Sequence, residues 1–300
     1  MARHLVYPVH TACDPLYPPV LDADILRIPA GPGLLHVERY GFGGPPVVLI
    51  HGFPTSSFLW RAVGPELAIE GRTAFAVDLL GYGESDRPFD VDYGIAAQAE
   101  YVDRALTALR VARATVVGVD MGAGVALRLA ATRPDRVERL VLVNPIAFDA
   151  VPAGDVAALQ RSTARFAFRA SRGILGAAAL LTPVLEASVA RGEHMPARLV
   201  ARYLAPFVGP EGIGHLLALS RAIRAEDLED VDYTLIAAPA LVVRGEADEF
   251  TEPEVAQRLA AAIPGSRLLR LPGIGRLVPE EDPDQLVDAI LEFSAVVDAV

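Results

Sequence analysis

The chain has 300 residues, a net charge of −11 and a pI near 5.0. That balance excludes a nucleic-acid partner, because a phosphate backbone needs a basic footprint. Hydrophobic residues make up 52% and the mean hydropathy is +0.33, enough apolar material for one large domain or one domain with a substantial insertion.

The opening stretch to residue 33 is rich in proline and glycine and reads as an arm or a first short strand. It lacks the apolar run of a secretory signal, and Cys13 is the single cysteine, so a cytoplasmic, reducing compartment is expected. "LLHVERYG" (34–41) alternates and predicts a strand. "PPVVLIHG" (45–52) is a run of branched apolar residues ending in glycine, the pattern of a strand buried on both faces. "SSFLWRAVGPELA" then predicts a helix capped by Ser56 or Ser57. "TAFAVDLLGYG" (73–83), "ATVVGVDMG" (114–122) and "VERLVLVNP" (137–145) repeat the strand pattern, with helices at "IAAQAEYVDRALTALRV" and "AGVALRLAATRP" between them. From about 150 to 232 no strand is predicted; "DVAALQRSTARFAFRASR", "PARLVARYLAPF" and "GIGHLLALSRAI" all read as helices. The apolar run Gly173 to Leu185 is too short to span a bilayer and reads as a buried or pocket-lining helix, so no membrane partner is expected. Alternation resumes with "PALVVRGEAD" (239–248), "PEVAQRLAAAI", "SRLLRLPG" and "PDQLVDAILEFSAVV". The expected architecture is α/β: a mostly parallel sheet flanked by helices, residues 1–149 and 233–300, with a helical cap at 150–232.

In such a sheet, ligands bind beyond the carboxyl ends of the strands. There "GVDMG" (118–122) has the spacing of a nucleophile elbow, with Asp120 where serine is usual. Asp120 either projects from a tight strand-to-helix turn or merely caps the helix. The N–H of Met121 faces the same space, and the N–H of Phe53 in "HGFP" is placed as a second oxyanion donor. His51 lines this loop, either ordering it or bordering the substrate pocket. Asp248 in "RGEADEF" reads equally as a base-orienting acid or a turn residue. No Cys/His cluster has metal-binding spacing, so neither metal nor cofactor is expected.

The stretches "HGFPTSSFLWR", "DLLGYGESDRP", "GVDMGAGVALRLAATRPDRVERLVLVNP" and "YLAPF" resemble the α/β-hydrolases, specifically the haloalkane dehalogenase and epoxide hydrolase branch in which aspartate is the nucleophile. The likeness runs from about residue 34 to 298. It implies a cap over an apolar pocket, an alkyl ester formed on Asp120, and a histidine–acid pair that activates water to break it. Asp248 falls on the acid. In "RLPGIGRLVPEEDP" the histidine position holds Arg276.

That departure decides how the chemistry is read. Guanidinium has a pKa above about 12 and cannot accept a proton, so the hydrolytic second step lacks its base. Phe53 and Met121 stand where the dehalogenases carry halide-binding Asn and Trp, and neither side chain donates to a halide. The epoxide hydrolases protonate the opening oxygen with cap tyrosines; here Tyr203 and, at the end of the segment, Tyr233 are on offer. A displaced base would have to be His194 or, less awkwardly, His215. Arg276 either bridges Asp120 and Asp248 structurally, holding Asp120 ionised, or meets a substrate anion or oxyanion. The expectation is an atypical enzyme acting on a small, largely apolar molecule by a non-hydrolytic reaction: isomerisation, cyclisation, epimerisation or elimination. It would use Asp120, Arg276 and the N–H groups of Phe53 and Met121, with Tyr203, His51 and His215 at the substrate pocket. The alternatives are an epoxide hydrolase-like enzyme with a relocated base, and a small-molecule-binding protein with a degenerate site. The oligomeric state stays open, a homodimer included.

Overall fold

The computed structural model describes residues 23–161, 176–209 and 211–298. Eight strands form one sheet: β1 (Asp24–Pro29), β2 (Leu34–Tyr40), β3 (Pro46–Ile50), β4 (Thr73–Val77), β5 (Ala114–Val119), β6 (Val137–Val143), β7 (Ala240–Gly245) and β8 (Arg267–Leu271). Their spatial order is β1-β2-β4-β3-β5-β6-β7-β8. β2 runs antiparallel to both neighbours, and every other pairing is parallel.

The branched apolar runs become strands because both sheet faces are covered. All six residues of β5 are buried, and successive side chains go to opposite sides. Val116, Leu140, Leu142 and Val242 enter one apolar cluster; Val117, Val141, Val143 and Val243 enter the other. The first cluster is completed by α2 (Ile95–Ala108), α3 (Met121–Thr132) and α9 (Pro253–Ala262). The second is completed by α1 (Val63–Ile69) and α11 (Pro283–Asp298). The mostly parallel sheet with helices on both faces agrees with the expected fold class.

Two local expectations change. The predicted helix in "SSFLWRAVGPELA" is a 3-10 turn, Ser57–Trp60, followed by α1. Pro65 explains the break, since it has no N–H for the carbonyl of Arg61. Neither serine caps: Ser56 makes no side-chain cap bond, and Ser57 turns its hydroxyl to Glu38 and its N–H to Asp78.

Between β6 and β7 the described residues contain no strand. They form α4 (Gly154–Gln160), α5 (Ala178–Ala187), α6 (Ala197–Leu204), α7 (Gly212–Ala222) and the short α8 (Glu226–Glu229). Gln160 ties α4 to the end of α7 by donating to the carbonyls of Ser220 and Ile223 at 2.6 and 3.1 Å. The apolar run supplies α5, of which Leu181 and Leu185 are buried. No helix among the described residues is long and apolar enough to cross a membrane. Cys13 and residues 162–172 of the first predicted inserted helix lie outside the described residues.

Candidate active site

The elbow is built by the β5–α3 junction. Asp120 has φ +54° and ψ −119°, a conformation that costs a non-glycine residue about 1–3 kcal/mol. Gly118 and Gly122 make the turn possible. A Cβ on Gly118 would lie 2.3 Å from the carbonyl oxygen of Gly122, and one on Gly122 would lie 2.4 Å from those of Ile50 and His51. Gly124 is under no comparable pressure; its added Cβ would meet only side chains, the nearest at 3.3 Å. Asp120 makes no side-chain capping bond to α3, so helix capping does not account for it.

The carboxyl of Asp120 is held from three sides. Phe53 N–H donates to Oδ2 at 3.1 Å, and the Met121 N–H faces the same group. On the other side, Nη2 of Arg276 lies 2.7 Å from Oδ1. Burial pushes the carboxyl above the usual Asp range and the negative charge of Asp155 adds to this, while Arg276 and the Met121 N–H oppose it. Arg276 thus lowers the carboxyl, as expected of a partner cation, but desolvation outweighs it in the direction of the shift.

Arg276 is 1% exposed and bridges two carboxylates, but not the expected pair. Its Nη1 donates to Oδ2 of Asp155 at 2.9 Å, and its plane lies over the Phe250 ring at 4.9 Å. Burial works against this charge; Asp120, Asp155 and Asp248 more than offset it and raise the guanidinium pKa above its ordinary value. Asp248 is otherwise engaged. Its Oδ2 accepts from Arg244 at 2.7 Å and its Oδ1 from the Phe250 N–H at 2.9 Å. Arg244 neutralises Asp248, so the Arg276 cluster holds one cation against two carboxylates. Three of its buried polar atoms, Arg276 Nε and Nη2 and Asp155 Oδ1, have no hydrogen-bond partner, Nη2 meeting Asp120 as an ion-pair contact only.

The loop that presents Arg276 is fixed by Asn144, at the end of β6. Its Nδ2 donates to the carbonyls of Gly275 and Arg276, at 3.1 and 2.9 Å, and its Oδ1 accepts from Gly245 N–H at 2.9 Å. Glu281, in the turn α10 (Val278–Glu281), accepts from Gly275 N–H at 2.5 Å.

The remaining predicted residues are elsewhere. His51 is buried, its Nε2 accepting the Leu79 N–H at 3.1 Å while its Nδ1 faces the Gly52 carbonyl at 2.9 Å. Both nitrogens serve the loop, and burial lowers the pKa of the ring. Nε2 of His215 is 2.6 Å from the carbonyl of Gly81, and the ring packs between Tyr93 and Phe207. It borders a cleft of about 1110 Å³ between α7 and residues 87–93, a cleft whose lining includes neither Asp120 nor Arg276. Tyr203 is corrected as a pocket residue: it packs on Phe58 in the second apolar cluster, and its hydroxyl donates to Glu280. Arg61 grips the same carboxylate through two bonds of 2.6 Å. Tyr233 packs on Phe148. His194 turns Nδ1 to the carbonyl of Glu280.

Four residues at or around the site escaped the sequence reading: Asp155, Arg244, Asn144 and Tyr82. The hydroxyl of Tyr82 points at the Met121 sulfur, and burial, with the Asp120 charge next, raises its phenol pKa. Among the described residues no three of His, Cys, Asp or Glu are grouped to hold a metal ion.

The profile of the α/β hydrolase fold family matches residues 45–283. A haloalkane dehalogenase of Mesorhizobium japonicum is 31% identical over 305 residues, covering 95% of this chain and 93% of that protein. Among solved structures, Cfl2 of Burkholderia cenocepacia superposes with a TM-score of 0.77 at 26% identity, covering 90% of this chain and 95% of that one. The haloalkane dehalogenase DbeA of Bradyrhizobium elkani gives 0.76 at 28% identity, covering 93% and 99%.

Proposed function

The chain belongs to the α/β-hydrolase family, in its dehalogenase and epoxide hydrolase-like branch, and on that premise we propose that it catalyses a non-hydrolytic proton transfer on a neutral, largely apolar organic molecule. The reaction is of the isomerisation, cyclisation, epimerisation or elimination type. One observation carries this reading: the group facing Asp120 at 2.7 Å, where a water-activating base would stand, is the guanidinium of Arg276. Every described histidine is engaged elsewhere: His51, His194 and His215 on backbone carbonyls or N–H groups, His36 beside Glu38.

Asp120 is the proton carrier. Burial raises its carboxyl above the usual Asp range, the direction that strengthens it as a proton acceptor. The Phe53 N–H is already spent on Asp120 and Nη2 of Arg276 lies in ion-pair contact with it, so the donor assigned to a substrate oxygen is Nε of Arg276, buried and without a partner. The proton leaves a C–H bond, rests on Asp120 and returns to another position, to the other face of the same carbon, or, in an elimination, to the departing group, while Nε–H holds the oxygen on which charge develops. Such a cycle consumes neither water nor a cofactor. The substrate is neutral because Arg276 already faces two carboxylates and the surplus charge is negative. The inserted helices between β6 and β7 act as the cap.

A second reading rests on Oδ2 of Asp120 lying in the Phe53 N–H site, a pose suited to a nucleophile. It ends in a stable alkyl ester, since nothing activates water to break it. One experiment separates the readings. The full chain and Asp120→Asn are incubated in D2O with neutral ketones, epoxides and haloalkanes, followed by NMR and intact mass. Deuterium entering the substrate only with the native chain, at unchanged protein mass, is the expected result. A lasting adduct on Asp120 selects the second reading. Repeated hydrolytic turnover overturns both.

A further inference from the structure

The Asp155 carboxylate comes from the inserted helix α4, 121 residues away in sequence from the Arg276 it holds. Nothing in the elbow, the oxyanion donors or the acid position calls for it. Yet its side chain is 1% exposed and lies 2.9 Å from a guanidinium whose other arm is on Asp120. Its second oxygen, Oδ1, is buried and unpartnered. A carboxylate left half-satisfied in a dry site is costly unless the site uses its charge.

We propose that Asp155 is a positioning residue of the Asp120 site: it draws one arm of Arg276 onto α4, so that Asp120 shares the cation instead of owning it. The inference deepens the proton-transfer reading, because a carboxylate paired alone with a buried arginine is too weak a base for that work. The groups that bear on Asp120 come from every element around it. Arg276 stands on the loop after β8, Asp155 on α4 and Tyr82 on the loop after β4; the N–H groups of Phe53 and Met121 complete the ring. Asp248 acts on Arg276 from the loop after β7 and is itself neutralised by Arg244. Of these groups, Asp155 is a full negative charge that pushes Asp120 upward, in the same sense as burial. Helix α4 is joined to the acid loop by Gly154 N–H donating to the carbonyl of Phe250 at 3.3 Å and to α7 by Gln160, so the geometry exists only when these inserted helices are seated.

The test reads Asp120 directly and needs no turnover. The full chain is labelled with 13C at aspartate Cγ, and the Asp120 signal is identified by its loss in Asp120→Asn. Its titration is then followed in the native chain, Asp155→Asn and Asp155→Glu. Asparagine keeps an oxygen for Nη1 and removes the charge, so the midpoint of Asp120 is expected to move to lower pH. Glutamate restores the charge and brings the midpoint back toward the native one. An unmoved or higher midpoint in Asp155→Asn overturns the proposal. So does failure of both Asp155→Asn and Asp155→Ala to fold, which would assign Asp155 to stability alone. Absence of deuterium incorporation would defeat the reaction proposed above and leave this midpoint shift standing.

Discussion

The Arg276 guanidinium touches Asp120 through Nη2 and Asp155 through Nη1, joining the β5–α3 elbow to the inserted helix α4 across a fully buried contact. Removing the cation strands two carboxylates. Arg276→Met is expected to cost about 3–5 kcal/mol at neutral pH, the usual penalty for breaking a buried ion pair by deleting one partner. The loss shrinks in acid. Asp120 already has its carboxyl raised by burial, and without Arg276 it rises further. A carboxyl that binds its proton more tightly folded than unfolded gives up stability as pH climbs through its folded pKa and regains it as pH falls. Urea unfolding of the native chain and the variant at pH 5 and 7.5 should show the smaller gap at pH 5.

Tyr203 supplies a contrast, since sequence and family likeness placed it at the substrate. Its hydroxyl is on Glu280, together with Arg61. Tyr203→Phe is therefore expected to lower stability by about 1.5–3 kcal/mol, as loss of a hydrogen bond to a charged group does, toward the lower end because Arg61 still holds Glu280. The reactivity of Asp120 toward neutral probes should stay at the native level. A drop of tenfold or more in that reactivity, at unchanged fold, would return Tyr203 to the site.

His51 gives a pH signature with the opposite sense to that of Arg276→Met. Burial keeps its ring neutral in the fold, whereas the unfolded chain protonates it near pH 6.5. Its contribution is whole above that value and fades as pH falls toward the lowered folded pKa. His215 acts in the same sense, and His36, whose pKa is raised beside Glu38, opposes them. His51→Leu removes the acceptor of the Leu79 N–H and should cost about 1–3 kcal/mol at pH 7.5. The native and variant denaturation midpoints should converge as pH is lowered to 5.

The strands were legible because burial on both faces leaves a local mark, a run of branched apolar residues, and each core strand falls within its predicted window. The elbow was legible for a related reason: the glycines at 118 and 122 are demanded by backbone contacts of 2.3 and 2.4 Å. Partnerships between distant residues leave no such mark. Asp155 looks like any acidic residue in the first turn of a helix, and Arg244 is one of 27 basic residues. Nothing local says that one would meet Arg276 and the other take Asp248 away from it.

Asn144 bonds only to backbone: the carbonyls of Gly275 and Arg276 and the N–H of Gly245. The three loop ends are thus stitched together without reference to any side chain at position 276. The stitching specifies where that side chain starts and leaves open what it is. A lineage can exchange the chemical group at the tip in a single substitution while the scaffold stays as it was. The loop is a handle whose tip is one side chain, and substitutions at position 276 ask which other groups the same handle accepts.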